Sequence, residues 1–484
     1  MVNRSLVTDI IPEKGGQCSF YLQTPINQGF SNKKQVVFDT TVFPVEEPEM
    51  RIERLKVKNF RCFEKLEMQL HPKCNILVGI NGAGKSTILD ALAIALGGYL
   101  TGFDGIKSNS ILPEDAHYKM FCVGSRIEPQ EQFPVEIYVE GIVEQKNVTL
   151  NASEAIISWQ RELNGKERRT THGKVKFIAD YARALQTSVR SGDATCILPL
   201  VAYYGTGRLW LQKKNRTKYE KGEKLNRQMG YMDCIAAESN EKQMMQWFEE
   251  MTYIQLQEGT VIAELEAVKK ALSKCYLNVD DTATDVKFAY DVRSHELEVS
   301  IYHCNKAEKF PVSMLSDGEK GIISLVADIA YRMALLNPNL LDKVLETPGV
   351  VLIDEIDLHL HPSWQKKVVG NLMGIFPNIQ FVVTTHSPSI LLNVPKEYIW
   401  ILNQNEINQP QDMTYGRTVE EILREVMDTD VRPDEVAMMQ HEFEYAIDSE
   451  NYHLAEKILD KMKKIMGENA NAIIENQIVL DVEK

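Results

Sequence analysis

The stretch Gly79-Ile80-Asn81-Gly82-Ala83-Gly84-Lys85-Ser86-Thr87 matches G-x-x-x-x-G-K-[ST] at every fixed position. That spacing suits a polyphosphate. Glycines let backbone N–H groups curl around phosphate oxygens, a following helix N-terminus adds a favourable dipole, Lys85 neutralises the β- and γ-phosphates, and the Ser86 hydroxyl reaches Mg2+. A second set of reactive groups, Asp354-Glu355, follows the apolar run Gly349 to Ile353. A buried parallel strand with carboxylates at its C-terminal end is where open α/β sheets place ligands. Asp354 is expected to hold Mg2+ through water and Glu355 to polarise an attacking water as general base, the paired roles of phosphoryl transfer. A nucleoside polyphosphate with Mg2+ is therefore expected here.

The surrounding pattern supplies the elements these residues need. Asn75 to Val78 reads as a buried strand before the glycine loop, and Ile88, Leu89, Leu92, Ala95 and Leu96 give the next helix one apolar face, ended by Gly97-Gly98. Upstream, Ile52, Leu55 and Val57 alternate, as do Leu66, Met68 and Leu70, predicting two strands around Asn59 to Phe63. Pro134 to Glu144 and Val148 to Leu150 read as strands, and Ile197 to Ala202 as a buried strand entering Tyr203 to Trp210. Glu241 to Leu277 keeps helical spacing and is the longest helical region, followed by strands over Asp285 to Val292 and Leu297 to Tyr302. Further on come a helix from Ser363 to Phe376, a strand from Ile379 to Val383 ending in Thr384-Thr385-His386-Ser387-Pro388, and a strand from Tyr398 to Leu402. Thr418-Val419-Glu420-Glu421 is a capping box, and Asp434 to Ala446 and Tyr452 to Met466 form a helical hairpin.

The turn Asn59-Phe60-Arg61-Cys62-Phe63, with Asn81 in the loop, resembles the ATP-binding cassette heads of the RecF and SMC type. The likeness implies that Arg61 lies close to the nucleotide phosphates; a solvated surface arginine is the alternative. Met314-Leu315-Ser316-Asp317-Gly318-Glu319-Lys320-Gly321 resembles the cassette signature. By that resemblance Ser316, Gly318 and Glu319 serve a nucleotide held by a second copy, so that two heads sandwich two ATP molecules; alone, Ser316 is an ordinary N-cap. His386 stands where cassettes keep a histidine that bonds the γ-phosphate. The Q-loop glutamine has no counterpart in the turn after Ala202, with Gln212 a weak substitute. The implied fold class is α/β: a 51–403 head with an antiparallel β lobe over about 101–207, a helical insertion over about 213–280 and a signature and carboxylate lobe over 281–403. An N-terminal extension (1–50) precedes it and a helical region (404–484) follows. The helical stretch Glu241 to Leu277 is too short for an SMC arm.

The chain has 484 residues, enough for roughly two to three domains or one large domain with insertions. No apolar run nears the length needed to span a bilayer, and Met1 to Gln17 has no basic-then-apolar leader, so a cytoplasmic location and no membrane contact are expected. Eight scattered cysteines without C-x-x-C pairs argue against a zinc site or disulfide framework. A formal net charge of −14 restricts any DNA contact to local patches. The candidates are Arg161, Lys166, Arg168, Arg169, Lys174 and Lys176, and then Lys213, Lys214, Arg216, Lys218, Lys221, Lys224 and Arg227. Both are interrupted by acids and read equally as solvated faces.

His359 and His361 lack a third ligand and read as capping or packing side chains rather than a metal site. Asp428-Thr429-Asp430 has the spacing of a TOPRIM nuclease pair, but it stands between helices rather than after a buried strand, so no nuclease activity is expected in this chain. From Arg51 to about Met466 the motif set resembles the Septu-type and retron-associated anti-phage ATPases, the PtuA family. That resemblance implies a homo-oligomer, an HNH nuclease partner and, in retron systems, a reverse transcriptase with its RNA-linked DNA. A RecF-like repair ATPase and a slowly hydrolysing ATP-locked scaffold that cages a toxic partner share the same motifs.

Overall fold

The computed structural model describes residues 7–12, 18–22, 35–37, 50–123, 126–143, 156–171, 173–209, 226–236, 241–278, 282–304, 306–403, 406–425, 427, 433–468 and 470–483. They divide into two compact units, Met1–Met413 and Thr414–Lys484. The first unit opens with strands β1 (Val7–Pro12), β2 (Cys18–Leu22) and β3 (Gln35–Val37) in an antiparallel sheet of that order.

Strands β4 (Arg51–Phe60) and β5 (Phe63–Gln69) pair antiparallel as their alternation predicts, with Leu55, Val57, Leu66 and Met68 buried. Next, β6 (Cys74–Gly79) is buried at every position and leads through the glycine loop into helix α1 (Lys85–Leu100). This helix does not stop at Gly97-Gly98. Those glycines are sites of close approach, because a Cβ on Gly97 would lie 3.2 Å from the Asn109 carbonyl oxygen and one on Gly98 3.1 Å from Val175 Cγ1. The single apolar face is also an understatement: every residue from Ala91 to Leu100 is buried.

A separate hairpin of β7 (His117–Val123) and β8 (Arg126–Gln132) follows. Then β9 (Val135–Ile142) and β10 (Ile156–Leu163) extend the first antiparallel pair to the order β10-β9-β4-β5. The range expected to be a β lobe also contains helix α2 (Lys176–Arg190), whereas its last strand, β11 (Leu200–Tyr204), belongs to the central sheet. Val148 to Leu150 lies outside the described residues. The long helical region is two helices, α3 (Glu241–Glu258) and α4 (Ala263–Leu277), separated where Gly259 takes φ 67°. Strands β12 (Asp285–Asp291), β13 (Glu296–His303) and β14 (Lys306–Pro311) make a further antiparallel sheet before α5 (Asp317–Leu336).

The remainder alternates: β15 (Gly349–Ile353), α6 (Pro362–Ile375), β16 (Ile379–Thr384), the short α7 (Pro388–Leu391), β17 (Ile399–Asn403) and β18 (Glu406–Asn408). The central sheet runs β11-β15-β16-β6-β17-β18, parallel apart from its last pair. Its order brings the ends of β6, β15 and β16 side by side, so the glycine loop, Asp354-Glu355 and Thr385-His386 emerge together at the C-terminal edge. Helix α1 packs against β6, β15 and β16 of this sheet and against β9 and β10 of the antiparallel one, which is why it is buried all round from Ala91 to Leu100.

Gln380 fixes β4 to β16. Fully buried, it accepts from Ile52 N–H (2.8 Å) and donates to the Ile52 and His71 carbonyls (2.8 and 3.0 Å). Gln380→Leu removes the partners of the Ile52 N–H and carbonyl in the interior, where each unsatisfied group costs about 1–3 kcal/mol, while the His71 carbonyl keeps the Asn75 amide as a donor at 2.8 Å. We expect a loss of about 2–4 kcal/mol, read as a lower midpoint in urea with an unchanged slope.

The second unit begins with α8 (Val419–Glu425), whose predicted capping box forms: Thr418 N–H and Oγ1 donate to Glu421 at 2.6 and 3.0 Å. The hairpin α9 (Asp434–Asp448) and α10 (Tyr452–Met466) is joined by a third helix, α11 (Asn471–Glu483), which the sequence reading missed. Phe443, Ile458, Leu459, Met462, Ile473 and Leu480 are among the residues of their common core. Asp428-Thr429-Asp430 lies outside the described residues.

Candidate functional site

The glycine loop is shaped by what presses on it. A Cβ on Gly79 would stand 2.4 Å from the Leu402 carbonyl oxygen, and one on Gly84, at φ 96°, 2.5 Å from Phe63 Cζ and 2.7 Å from Cys62 Sγ. The Asn59 to Phe63 turn therefore lies directly against the loop. Lys85 Nζ donates to the carbonyls of Gly79 (2.8 Å) and Ile80 (2.9 Å), which folds the ammonium into the loop. Burial pulls its pKa below the ordinary lysine value, while Asp354, Glu355 and Asp357 pull it back. A cleft of ≈ 330 Å³ opens here, lined by Arg61, Cys62, Asn81, Gly82, Gly84, Lys85, Ser86, Thr87, Asp354, Glu355 and His386.

Across the cleft, Ser86 Oγ donates to both Asp354 carboxylate oxygens, at 2.9 and 3.1 Å. Thr384 Oγ1, fully buried at the end of β16, donates to Asp354 at 2.6 Å and accepts from Glu355 N–H at 2.7 Å. Glu355 takes φ 47°, a conformation that costs a non-glycine residue on the order of 1 kcal/mol and needs support. The support comes from both sides, since Asp354 N–H donates to the Tyr204 carbonyl (2.8 Å) and Ile356 N–H to the Thr384 carbonyl (3.0 Å). Ser86 and Asp354 offer oxygen donors only, the chemistry that a hard divalent cation such as Mg2+ prefers.

The signature segment is elsewhere. Ser316 caps α5 in a reciprocal box with Glu319: its Oγ and N–H donate to the Glu319 carboxylate at 2.6 and 2.9 Å, and Tyr276 OH adds a third bond at 3.1 Å. Gly318 is the contact point with the segment after Glu355, because a Cβ there would lie 2.3 Å from the His359 carbonyl oxygen. Ser316, Gly318 and Glu319 do not line the cleft, and neither does Gly79, whose carbonyl instead holds Lys85. The other residues proposed from sequence for the nucleotide site line this cleft together.

Comparison with known proteins agrees with this geometry. Two family models match, an "AAA domain" over residues 54–279 and, over residues 268–393, an AAA domain described also as a candidate AbiEii toxin of a type IV TA system. The chain is similar to the retron Ec83 probable ATPase of Escherichia coli, 26% identical over 91% of this chain and 88% of that protein. It is similar also to the Septu protein PtuA of Bacillus thuringiensis, 24% identical over 86% of this chain and 93% of that one. The chain is an ATPase similar to these retron and Septu proteins. Among solved structures, an SMC head bound to the C-winged helix domain of ScpA is similar at TM-score 0.42 and 18% identity, covering 74% of this chain and 97% of that one.

In this ATPase, several residues that shape the site carried little or no sequence signal of their own. Asp90 and Asp115 both pair with Arg61, and each is a single acidic residue inside a helix or turn, whereas Tyr203, which bonds Asp90, and Thr384, which bonds Asp354, were visible only as members of longer motifs. Tyr204 was visible only as part of an aromatic turn; its hydroxyl donates to Asp328 (2.8 Å), which also accepts from Arg332 Nε (2.7 Å) inside the core. Gln212 lies outside the described residues.

The first basic stretch is not a uniform footprint. Arg161 is fully buried and donates to the Asn109 carbonyl (3.1 Å), with burial pushing its pKa down to about 10. Lys166 pairs with Glu131 at 2.7 Å and Lys174 with Glu162 at 2.8 Å. In the second stretch, Arg227 is committed to the Leu336 and Cys196 carbonyls, both at 2.6 Å, and its lysines and Arg216 lie outside the described residues. His361 caps α6 through Nδ1, which accepts from Ser363 N–H at 3.3 Å. Among the described residues no group of three or more His, Cys, Asp or Glu side chains is placed to hold a metal, and no helix is long and apolar enough to cross a membrane.

Proposed function

We propose that this chain is the ATP-hydrolysing subunit of an anti-phage defence complex of the Septu or retron type, working as a head-to-head pair that controls a separate HNH nuclease. One observation carries the pairing: the signature segment lies outside the cleft that its own phosphate loop lines. A second copy would supply Ser316, at a helix N-terminus and exposed, to the γ-phosphate held by the first.

Within each cleft the residues divide the work. The loop N–H groups from Asn81 to Thr87 and the Lys85 ammonium hold the β- and γ-phosphates, and Arg61 adds positive charge at the rim. Ser86 and Asp354 would hold Mg2+, which supplies charge neutralisation on the phosphate oxygens. Glu355 accepts the proton of a water that bonds to the γ-phosphorus as the bond to the ADP oxygen breaks, giving ADP and phosphate. His386 steadies the γ-phosphate. The defence assignment, with its partners, rests on the similarity to the retron and Septu ATPases.

Expression with the neighbouring genes, followed by mass spectrometry and nucleic-acid extraction of whatever co-purifies, tests this reading. A small HNH protein, with or without a reverse transcriptase and RNA-linked DNA, is the expected result. Recovery of the ATPase alone, with ATP-dependent affinity for DNA, would point instead to a RecF-like repair role.

A further inference from the structure

Arg61 does not project freely from its turn. It sits at φ 49°, with its N–H donating to the Asp115 carbonyl at 2.7 Å and its own carbonyl facing His117 Nδ1 at 2.7 Å, so the backbone is clamped on both sides. The guanidinium is clamped as well. Nε donates to Asp115 Oδ1 at 2.8 Å, and Nη1 pairs with Asp90 Oδ2. Asp115 is itself buried and fixed, its other oxygen accepting from Leu112 N–H at 2.8 Å.

Asp90 differs from Asp115 in what it reaches. It lies on α1, the helix that begins at Lys85, and its second oxygen accepts from Tyr203 OH at 2.9 Å. Tyr203 lies on β11, next to Tyr204, whose carbonyl receives the Asp354 N–H. One carboxylate thus joins the phosphate-loop helix, the Arg61 turn and the strand beside Asp354. Burial alone would lower the Arg61 pKa, but Asp115 and Asp90 more than offset it, so the guanidinium is held charged and above its ordinary value.

We propose that Asp90 is a positioning residue that, with Tyr203, aims the Arg61 guanidinium at the nucleotide phosphates. This rests on the cleft being the ATP site. A guanidinium fixed at Nε and Nη1 keeps its remaining N–H groups in one plane and one direction, and a planar fork loses little freedom when it meets phosphate. Asp90 therefore affects nucleotide affinity only through Arg61.

The test is a double-mutant cycle on the full chain, with Kd for ATP in Mg2+ measured by calorimetry and folding checked by thermal melt. Asp90→Ala is expected to weaken ATP about tenfold, the size of one charge-assisted hydrogen bond. In an Arg61→Ala background the same change should cost less than about twofold, the mark of coupled residues. Asp90→Asn, which keeps an acceptor oxygen, should restore most of the affinity, and Tyr203→Phe should show a smaller loss of the same kind. An additive effect in the Arg61→Ala background, or an Asp90→Ala chain that binds ATP as well as or better than the parent, would overturn the proposal. Failure of the parent chain to bind ATP, or binding indifferent to Lys85→Ala, would overturn the reading of the cleft itself.

Discussion

Glu355→Gln is expected to lower ATP hydrolysis by about 10²–10⁴-fold, the usual contribution of a general base, while leaving ATP affinity within a few-fold of the parent. The side chain keeps its shape, so the φ of 47° and the Glu355 N–H bond to Thr384 at 2.7 Å are undisturbed. Only proton acceptance is lost. Phosphate release under single turnover separates the chemical step from binding, and hydrolysis at the parental rate would remove Glu355 from the mechanism. The carboxylate lines the cleft beside Asp354, whose oxygens are taken by Ser86 and Thr384.

Lys85→Ala should act earlier, on binding. The ammonium donates to two loop carbonyls, and its charge stands against Asp354, Glu355 and Asp357. Without it the loop carbonyls lose their donor and the carboxylates face a triphosphate uncompensated. Two charge-assisted hydrogen bonds at about 1.5–3 kcal/mol each imply at least about a hundredfold loss of ATP affinity, with hydrolysis falling to background. Lys85→Arg should not rescue it, because a planar fork does not replace a compact ammonium between two carbonyls. Calorimetry with ATP checks both variants; retained affinity in Lys85→Ala would contradict the phosphate-loop assignment.

The parts of this site legible in the sequence are those set by local spacing. The phosphate loop, Asp354-Glu355 and His386 each follow an apolar strand, and the strand order of the sheet brings them together. Alternation likewise placed β4, β5 and β9, since one face of each is buried. What the sequence concealed is what depends on distant neighbours. Gly97-Gly98 reads as a stop signal until Asn109 and Val175 are seen against it. Arg161 looks like part of a basic patch, but its strand turns it inward to the Asn109 carbonyl. The break between α3 and α4 hangs on one glycine within an otherwise continuous period. Helix α11 escaped because it is apolar on more than one side, with Ile473 and Leu480 buried while Ile478 and Val482 are exposed, so its moment is blurred. Asp90 is the most instructive omission: on a helix it looks like any polar residue, and only the fold brings Arg61 and Tyr203 to it.

The central claim is that each cleft is completed by the signature segment of another copy. The most direct test is the solution mass of the Glu355→Gln chain by analytical ultracentrifugation, with and without ATP and Mg2+. A shift to an ATP-dependent dimer or larger even-numbered assembly is expected, and Ser316→Arg in the same chain should abolish the shift without preventing ATP binding. A Glu355→Gln chain that binds ATP and keeps the mass it has without ATP, or shifts regardless of Ser316→Arg, would contradict the claim.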